Sequence, residues 1–171
     1  MHLLHLLRHA KSAREGEGAE DRLRPLSRRG REDARLVATG LPTALGAVDL
    51  VLCSTALRTR ETASLVLAGF AVPPPVAFED GLYLAAAPAL LRRLRRLDEA
   101  TQAVLLIGHN PGLHELALAL AAPDSPDYPA LASGKFPTSA CASFTIETGW
   151  AGLDRERHKL RGYITPKSLR G

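Results

Sequence analysis

Three short segments of this chain, residues 6–9, 53–62 and 107–112, each end an apolar run with a cationic side chain. Apolar runs of this kind predict buried strands, and ligands of an open α/β sheet bind just beyond the carboxyl ends of its strands. If the three strands are parallel neighbours, their cationic side chains converge on one crevice. These side chains are Arg8, His9, Arg58 and His109. The pattern therefore predicts a site for a phosphoryl group.

The second and third segments add chemical detail to this prediction. Ser54 precedes a predicted helix that carries Arg58, and the free N–H groups and the dipole of a helix start favour an anion. We therefore predict that Ser54 contributes to substrate binding. His109 lies in a turn of small and rigid residues that brings its imidazole to the strand tip. Each of these residues also has a simpler interpretation. Arg58 would then be a surface arginine that pairs with Glu61 or Glu15. For His109, the alternative is a helix N-cap or a hydrogen-bonded loop residue.

The elements that must position these side chains alternate between strands and helices over the first 120 residues. This alternation predicts a three-layer α/β/α sandwich with a mostly parallel, mixed sheet. Residues 141–147 and 159–164 read as two further strands, antiparallel at one side of the sheet. A length of 171 residues with 46% apolar side chains suits one domain over residues 1–171.

Two connecting regions carry weaker signals. Residues 28–37 have apolar positions at helical spacing, and Gly40 and Pro42 predict the end of this helix. Residues 124–137 are rich in proline and polar side chains, which predicts a loop across one end of the sheet.

Composition narrows the class of partner and the compartment. The net charge of +4 favours anionic partners, whereas an aromatic content of 5% without a stacking pattern argues against nucleic acid. Cys53 and Cys141 lie in apolar runs and predict reduced core residues. The N-terminal segment lacks a basic start and is interrupted by Arg8, so we expect neither a signal peptide nor a membrane span. The expected location is the cytoplasm.

The motifs, taken in order, resemble a known family. Arg8-His9, the segment from Ser54 to Thr62 and the turn from Gly108 to Pro111 resemble the histidine phosphatase superfamily, whose fold is phosphoglycerate mutase-like. Residues 7–12, 24–30 and 165–167 look like its short SixA-type phosphohistidine phosphatase branch. Ala10 stands where the superfamily more often has glycine, a departure that this branch tolerates.

This resemblance implies that His9 is the nucleophile and forms a phosphohistidine intermediate that water then hydrolyses. Arg8, Arg58 and His109 would bind the three non-bridging oxygens of the phosphoryl group. An attacking imidazole must be neutral, and two flanking guanidinium groups should lower its pKa from the ordinary value of about 6.5. Its other nitrogen would donate to a backbone carbonyl and fix the tautomer. We also predict that Arg24 binds the substrate as a further clamp. The alternative is that Arg24 only forms an ion pair with Asp21 or Glu20.

The group that protonates the leaving group is not specified by the sequence. A phosphate ester needs a carboxylic acid for this step, and the candidates are Glu79, Asp80 and Asp21. Glu79 and Asp80 equally suit a simple turn before Gly81. Cleavage of the P–N bond of phosphohistidine depends less on an acid of the enzyme, because the leaving imidazole can be protonated near neutral pH.

The sequence thus predicts a metal-independent phosphatase acting through His9 on phosphohistidine in a signalling or phosphotransfer protein, without a cofactor. Two other functions are carried alongside it. One is a phosphomonoesterase for a small phosphorylated metabolite, and the other is a binding module for a phosphorylated ligand or RNA that does not turn over. No metal-ligand spacing stands out, because His5 and His9 lack an acidic or cysteine partner.

Overall fold

The computed structural model describes residues 1–14, 20–155 and 158–171. Within these residues the strands are β1 (His2–Arg8), β2 (Leu50–Ser54), β3 (Val76–Glu79), β4 (Ala103–Gly108), β5 (Cys141–Ile146) and β6 (Lys159–Ile164). They form one sheet in the order β3-β2-β4-β1-β5-β6. The four strands β3, β2, β4 and β1 are parallel, β5 is antiparallel to β1, and β6 is antiparallel to β5. The predicted mixed sheet with an antiparallel side is confirmed.

Helices cover both faces of this sheet. In the described part of the chain they are α1 (Arg28–Leu45), α2 (Leu57–Leu67), α3 (Ala87–Arg95), α4 (Gly112–Leu120), α5 (Tyr128–Ala132) and α6 (Pro166–Leu169). Helices α1, α2 and α6 share one hydrophobic core, whereas α3, α4 and α5 share the other. This is the predicted three-layer α/β/α sandwich.

The central strands are apolar on both faces because each face is covered by helices. In β1, Leu6 packs with the core of α3 and α4, and the next residue, Leu7, packs with the core of α1 and α2. In β4, Leu106 and Ile107 divide between the two cores in the same way. This two-residue alternation explains why β1, β2 and β4 are nearly continuous apolar runs in the sequence.

The predicted end of α1 at Gly40 and Pro42 is wrong. The helix continues to Leu45 and ends at Gly46, whose φ of 70° suits a residue without a side chain. Pro42 has no N–H for the carbonyl of Ala38, but Gly69 packs directly against that carbonyl, where any side chain would collide with it. Packing of the buried α1 face therefore outweighs the local signals for a helix end.

Two other details of the fold bear on the sequence predictions. The predicted loop at residues 124–137 contains the short helix α5, which buries Leu131 in the core beneath it. Cys53 and Cys141 are both buried and unpaired, as expected. Across the described residues, the helices are all too short or too polar to traverse a lipid bilayer.

Candidate active site

The three cationic segments meet at one edge of the sheet. Arg8, the last residue of β1, lies in register with Gly108, the last residue of β4, and β2 ends at Ser54 beside them. The neighbouring cleft has a volume of about 400 Å³. Its lining residues are Arg8, His9, Lys11, Ser12, Asp21, Arg24, Arg58, Leu84, His109, Asn110 and Thr138. The parallel order of β1, β4 and β2 thus brings together the four predicted catalytic side chains.

His9 carries the group that could act as a nucleophile. Its Nδ1 lies 2.6 Å from the carbonyl oxygen of Ala10, which can only accept, so Nδ1 carries the proton and Nε2 keeps its lone pair. Burial lowers the pKa of His9 to about 4, and the charges of Arg8, Arg58 and Arg24 add to this, against the opposing effect of the Ala10 carbonyl. The expected neutral imidazole is therefore present, with burial as its largest cause rather than the guanidinium groups.

Titration of His9 tests this environment directly. We expect the imidazole to stay neutral on acidification until about pH 4, well below the ordinary value of 6.5. The unfolded chain takes up this proton near pH 6.5, so the native state binds fewer protons in between and its stability falls as pH drops through that interval. Imidazole nitrogen NMR measures the pKa, with His9→Ala to assign the signal. A midpoint near 6.5 would contradict this account of the site.

Arg58 in α2 is a buried cation at the centre of the cleft, with 2% of its surface exposed. Its Nη1 donates to the carbonyl oxygen of Asp21 at 2.8 Å, and its Nη2 donates to Oδ2 of the same residue at 3.0 Å. Among the described residues, Arg58 makes its salt bridge with Asp21 rather than with Glu61, which accepts from the backbone N–H of Leu26. Glu15, the other alternative partner, lies outside the described residues.

His109 is held between Arg58 and Ser54. Its Nδ1 lies 3.4 Å from Nη2 of Arg58, which can only donate, so the Nε2–H donates to Oγ of Ser54 at 2.7 Å. Burial, together with the nearby His9 and Arg58, lowers the pKa of His109 to about 3. The two imidazole rings are 5.4 Å apart between their centroids. His109 is thus a neutral imidazole fixed beside His9.

Ser54 lies behind His109, at the end of β2 and before the start of α2. It is fully buried and does not line the cleft, and Ala56 takes the N-cap position of α2. The Ser54 hydroxyl instead orients His109. Its contribution to substrate binding therefore stays a prediction. Such a contribution would be indirect, through the position of the His109 imidazole.

Arg8 completes the cationic floor of the cleft. Its Nη1 donates to the carbonyl oxygen of Phe136 at 3.1 Å, and burial and the charge of Arg58 lower the pKa of its guanidinium group. Among the described residues, the buried atoms Nε of Arg8, Nε of Arg58 and Oδ1 of Asn110 have no hydrogen-bond partner. Two close guanidinium groups, each with an unsatisfied N–H donor, could bind an anion.

Arg24 and Asp21 form the opposite wall of the cleft. Arg24 donates to Oδ1 of Asp21 through Nε and Nη2, and to Oγ of Ser12 through Nη1. Arg24 therefore lines the cleft and pairs with Asp21 at the same time. The ion pair does not prevent Arg24 from also contacting a substrate in the cleft. The hydroxyl of Tyr83 donates to the other oxygen, Oδ2, and this bond is the largest cause that lowers the pKa of Asp21 to about 2.

The other two candidate acids lie away from the cleft lining and are also ionised. Glu79 accepts from Nε and Nη2 of Arg93 at 2.8 and 2.9 Å, which lowers the pKa of its carboxyl group. Asp80 accepts from Oγ1 of Thr55 at 2.6 Å and from Arg22, and these bonds lower its pKa. It begins a short 3-10 helix, Asp80–Leu82, in line with the turn considered from the sequence. The three candidate carboxyl groups are therefore all engaged as anions.

Sequence reasoning missed several residues that support the site. Tyr83 braces Asp21, and the carbonyl of Phe136 accepts from both Arg8 and Asn110. Nothing local marks either residue, because each acts across a tertiary contact. In the sequence, Thr62 stands out only as the last residue of the segment from Ser54 to Thr62. Its Oγ1 accepts from the backbone N–H of Ala10 at 2.9 Å and donates to the carbonyl of Arg58 at 2.7 Å.

We expect Thr62→Val to destabilise the protein by about 1 to 3 kcal/mol, because the buried N–H of Ala10 loses its partner. Chemical denaturation measures this free energy of unfolding. Thr39→Val is the matched control, since Thr39 is exposed on α1 and should change stability by less than about 0.5 kcal/mol. Equal effects of the two substitutions would contradict the assigned role of Thr62.

Residues 1–14, 20–155 and 158–171 contain no group of three or more His, Cys, Asp or Glu side chains that could hold a metal ion. The independence from metals stays a prediction.

Comparison with known proteins shows the family. The model of the histidine phosphatase superfamily (branch 1) matches residues 4–83. An uncharacterised protein of Mycobacterium tuberculosis (strain CDC 1551 / Oshkosh) is 36% identical over 163 residues, which cover 94% of this chain and 100% of that protein. Residues outside the family match, including His109, are thus also covered by a relative over nearly the whole chain.

Solved structures give the same result for the fold. A candidate phosphohistidine phosphatase SixA from Nakamurella multipartitia superposes with a TM-score of 0.82 and 28% identity over 96% of each chain. The protein histidine phosphatase SixA complexed with tungstate superposes with a TM-score of 0.78 and 25% identity over 98% of this chain and 99% of that chain. With its cleft, its sequence relative and these folds in agreement, the chain belongs to the histidine phosphatase superfamily, in its SixA-type branch.

Proposed function

We propose that this protein is a metal-independent phosphatase that hydrolyses phosphohistidine on a protein through a covalent phospho-His9 intermediate. One observation carries the choice of substrate. His9 lines one cleft with Arg8 and Arg58. Asp21, Glu79 and Asp80, in contrast, are all held as ion-paired carboxylates with lowered pKa values. A site arranged in this way suits a leaving group that needs little help from an enzyme acid.

In the first step, Nε2 of His9 attacks phosphorus and the P–N bond to the substrate imidazole breaks. The leaving nitrogen keeps the electron pair of that bond and takes a proton from water. Arg8 and Arg58 donate to the non-bridging oxygens, and their fixed donors stabilise the charge as it moves during the transfer. His109 donates to the third oxygen once its proton lies on Nδ1, in the tautomer whose Nε2 accepts from the Ser54 hydroxyl. An arriving phosphoryl group also places an anion beside Arg8 and beside Arg58, whose guanidinium group is otherwise paired with Asp21.

In the second step, a water molecule attacks phosphorus and the bond to Nε2 of His9 breaks. Inorganic phosphate leaves, the proton of the water passes to phosphate or solvent, and His9 returns as a neutral imidazole. The hydrogen bond from Nδ1 to the Ala10 carbonyl, 2.6 Å long, holds the ring in one orientation throughout. The same tautomer therefore serves both steps.

Neutralising the candidate acids separates this proposal from a phosphomonoesterase. We expect Glu79→Gln and Asp80→Asn to keep turnover of a phosphohistidine peptide within about tenfold of the wild type, because no step draws a proton from either group. Asp21→Asn should also keep most activity, since an amide oxygen still accepts from Tyr83 and Arg58. An enzyme that uses one of these groups on an ester would lose about 10² to 10⁴ in kcat when that group is changed.

The function itself is tested by a matched turnover assay with EDTA present throughout. The substrates are a phosphohistidine-bearing peptide, phosphoramidate and a set of alkyl phosphate monoesters, each measured with the wild type and with His9→Ala. Preference for the P–N substrates, lost in the variant, supports the proposal. Preference for one ester would instead assign the protein to small-metabolite phosphatases, and absence of turnover would favour a binding role. Loss of activity with EDTA would contradict the metal-free mechanism.

A further inference from the structure

A second and larger groove adjoins the active-site cleft. Its volume is about 700 Å³, against about 400 Å³ for the cleft, and Lys11 and Thr138 line both. The groove contains Thr165, Pro166 and Lys167, a sequence segment for which the catalytic mechanism gives no role. A ligand that extends out of the cleft past Lys11 would therefore enter this groove.

The groove is strongly basic. Five cationic side chains line it: Lys11, Arg29, Lys135, Lys167 and Arg170. Its acidic lining residue, Asp33, is already paired with Arg170. Within the part of the chain that the structure describes, the other four cations make no salt bridge. They are exposed, so their charge faces a partner rather than the protein interior.

Local structure fixes these cations relative to the catalytic residues. Lys11 is two residues from His9, and its carbonyl accepts from the backbone N–H of Ser27, which places the start of α1 and Arg29 next to it. Gly30 packs so closely on the Lys11 carbonyl that a side chain there would collide with it. These contacts hold one wall of the groove against the nucleophile segment.

The opposite wall is fixed in the same way. Thr165 and Ser168 form a reciprocal capping box at the start of α6, and Pro166 is buried, so Lys167 projects from an anchored turn. Lys135 precedes Phe136, whose carbonyl accepts from Arg8 in the cleft. This groove is thus built from the same segments that form the active-site cleft.

We propose that this groove, here called the basic groove, docks an acidic segment of the protein that carries the phosphohistidine. The proposal rests on the proposed function and names the partner surface that it needs. Separated, exposed cations attract an extended acidic chain, whereas a compact anion requires donors that converge on one point. Tyr163, Pro137 and Pro166 add apolar contact surface between the charges, as in protein interfaces.

The test uses synthetic peptides phosphorylated on one histidine by phosphoramidate. One peptide has glutamates on both sides of that histidine, a second has glutamines, and phosphoramidate alone reports the chemistry without docking. The enzymes are the wild type, the double variant Lys135→Glu/Lys167→Glu, and the control Arg92→Glu/Arg96→Glu. The control makes the same change in net charge on α3 and at its C-cap residue, Arg96, across the sheet from the basic groove.

We expect the wild type to prefer the glutamate peptide, with a preference that weakens as salt rises. In Lys135→Glu/Lys167→Glu, kcat/KM for that peptide should fall by about tenfold or more through KM, with phosphoramidate turnover unchanged. The control variant should retain the preference. Equal rates on the two peptides, or an equal loss in both variants, would overturn the proposal.

A binding measurement keeps the inference separate from the proposed function. Fluorescence anisotropy with the unphosphorylated glutamate peptide should show binding to the wild type that is lost in Lys135→Glu/Lys167→Glu. Binding without turnover of any P–N substrate would sustain the groove and refute the phosphatase. Absence of binding, or tighter binding of a single-stranded RNA probe of equal length, would refute the groove.

Discussion

Replacing His9 with alanine should lower kcat on a phosphohistidine peptide by on the order of 10⁴-fold or more, because the atom that forms the covalent intermediate is gone. The His9 imidazole hydrogen-bonds the carbonyl of the next residue, Ala10, rather than a distant segment, so the folded structure should survive the change. Steady-state kinetics with matched protein concentrations measures the effect. Circular dichroism checks that the variant is folded.

The control for this substitution is His2→Ala, which removes an imidazole from the other end of the same strand, β1. His2 hydrogen-bonds the carbonyl of Glu99 and contacts Trp150, far along β1 from the cleft. We expect this variant to retain its kcat. If His9→Ala kept more than about a tenth of the wild-type kcat, the nucleophile would have to be another group.

The second large effect is expected for Arg58→Lys. We predict a fall in kcat of about 10² to 10³, because an ammonium group cannot reproduce the planar fork that meets the phosphoryl oxygens, Asp21 and His109 together. Charge is retained in this variant, so the loss reports geometry. Inhibition by inorganic phosphate, measured alongside kcat and KM, separates weaker binding from slower chemistry.

Arg60→Lys is the matched control on the same helix. Arg60 is exposed, donates to the carbonyl oxygen of Thr55 and lies over the ring of Phe78. Its replacement should change kcat by less than about twofold, as for other exposed positions. An equal loss in the two variants would show that α2 needs arginine for its packing rather than for the reaction.

The convergence of Arg8, His9, Arg58 and His109 was predictable for a physical reason. Each belongs to a motif that follows a buried strand, and parallel strands bring their carboxyl ends to one edge of the sheet. The sequence therefore contains both these side chains and the pattern of strands that brings them together. The same holds for the three layers, because apolar runs alternate with amphipathic helices along the chain.

What could not be predicted depends on contacts between distant segments. Tyr83 and Asp21 are 62 residues apart and meet only in the folded chain. Pro42 stops a helix by its local chemistry, yet α1 passes through it because the buried face continues beyond it. The choice among Glu79, Asp80 and Asp21 also required the structure, since only their ion pairs reveal that each is held as a carboxylate.

Detection of the phosphorylated enzyme tests the central claim most directly. The protein is mixed with phosphoramidate or a phosphohistidine peptide, quenched in alkali to preserve phosphohistidine, and digested for mass spectrometry. The account predicts one added phosphoryl group on the peptide that contains His9, absent in His9→Ala and turned over when excess water is the only acceptor. A phosphoryl group on another residue, or hydrolysis by the wild type with no phosphorylated His9 under rapid quenching, would contradict it.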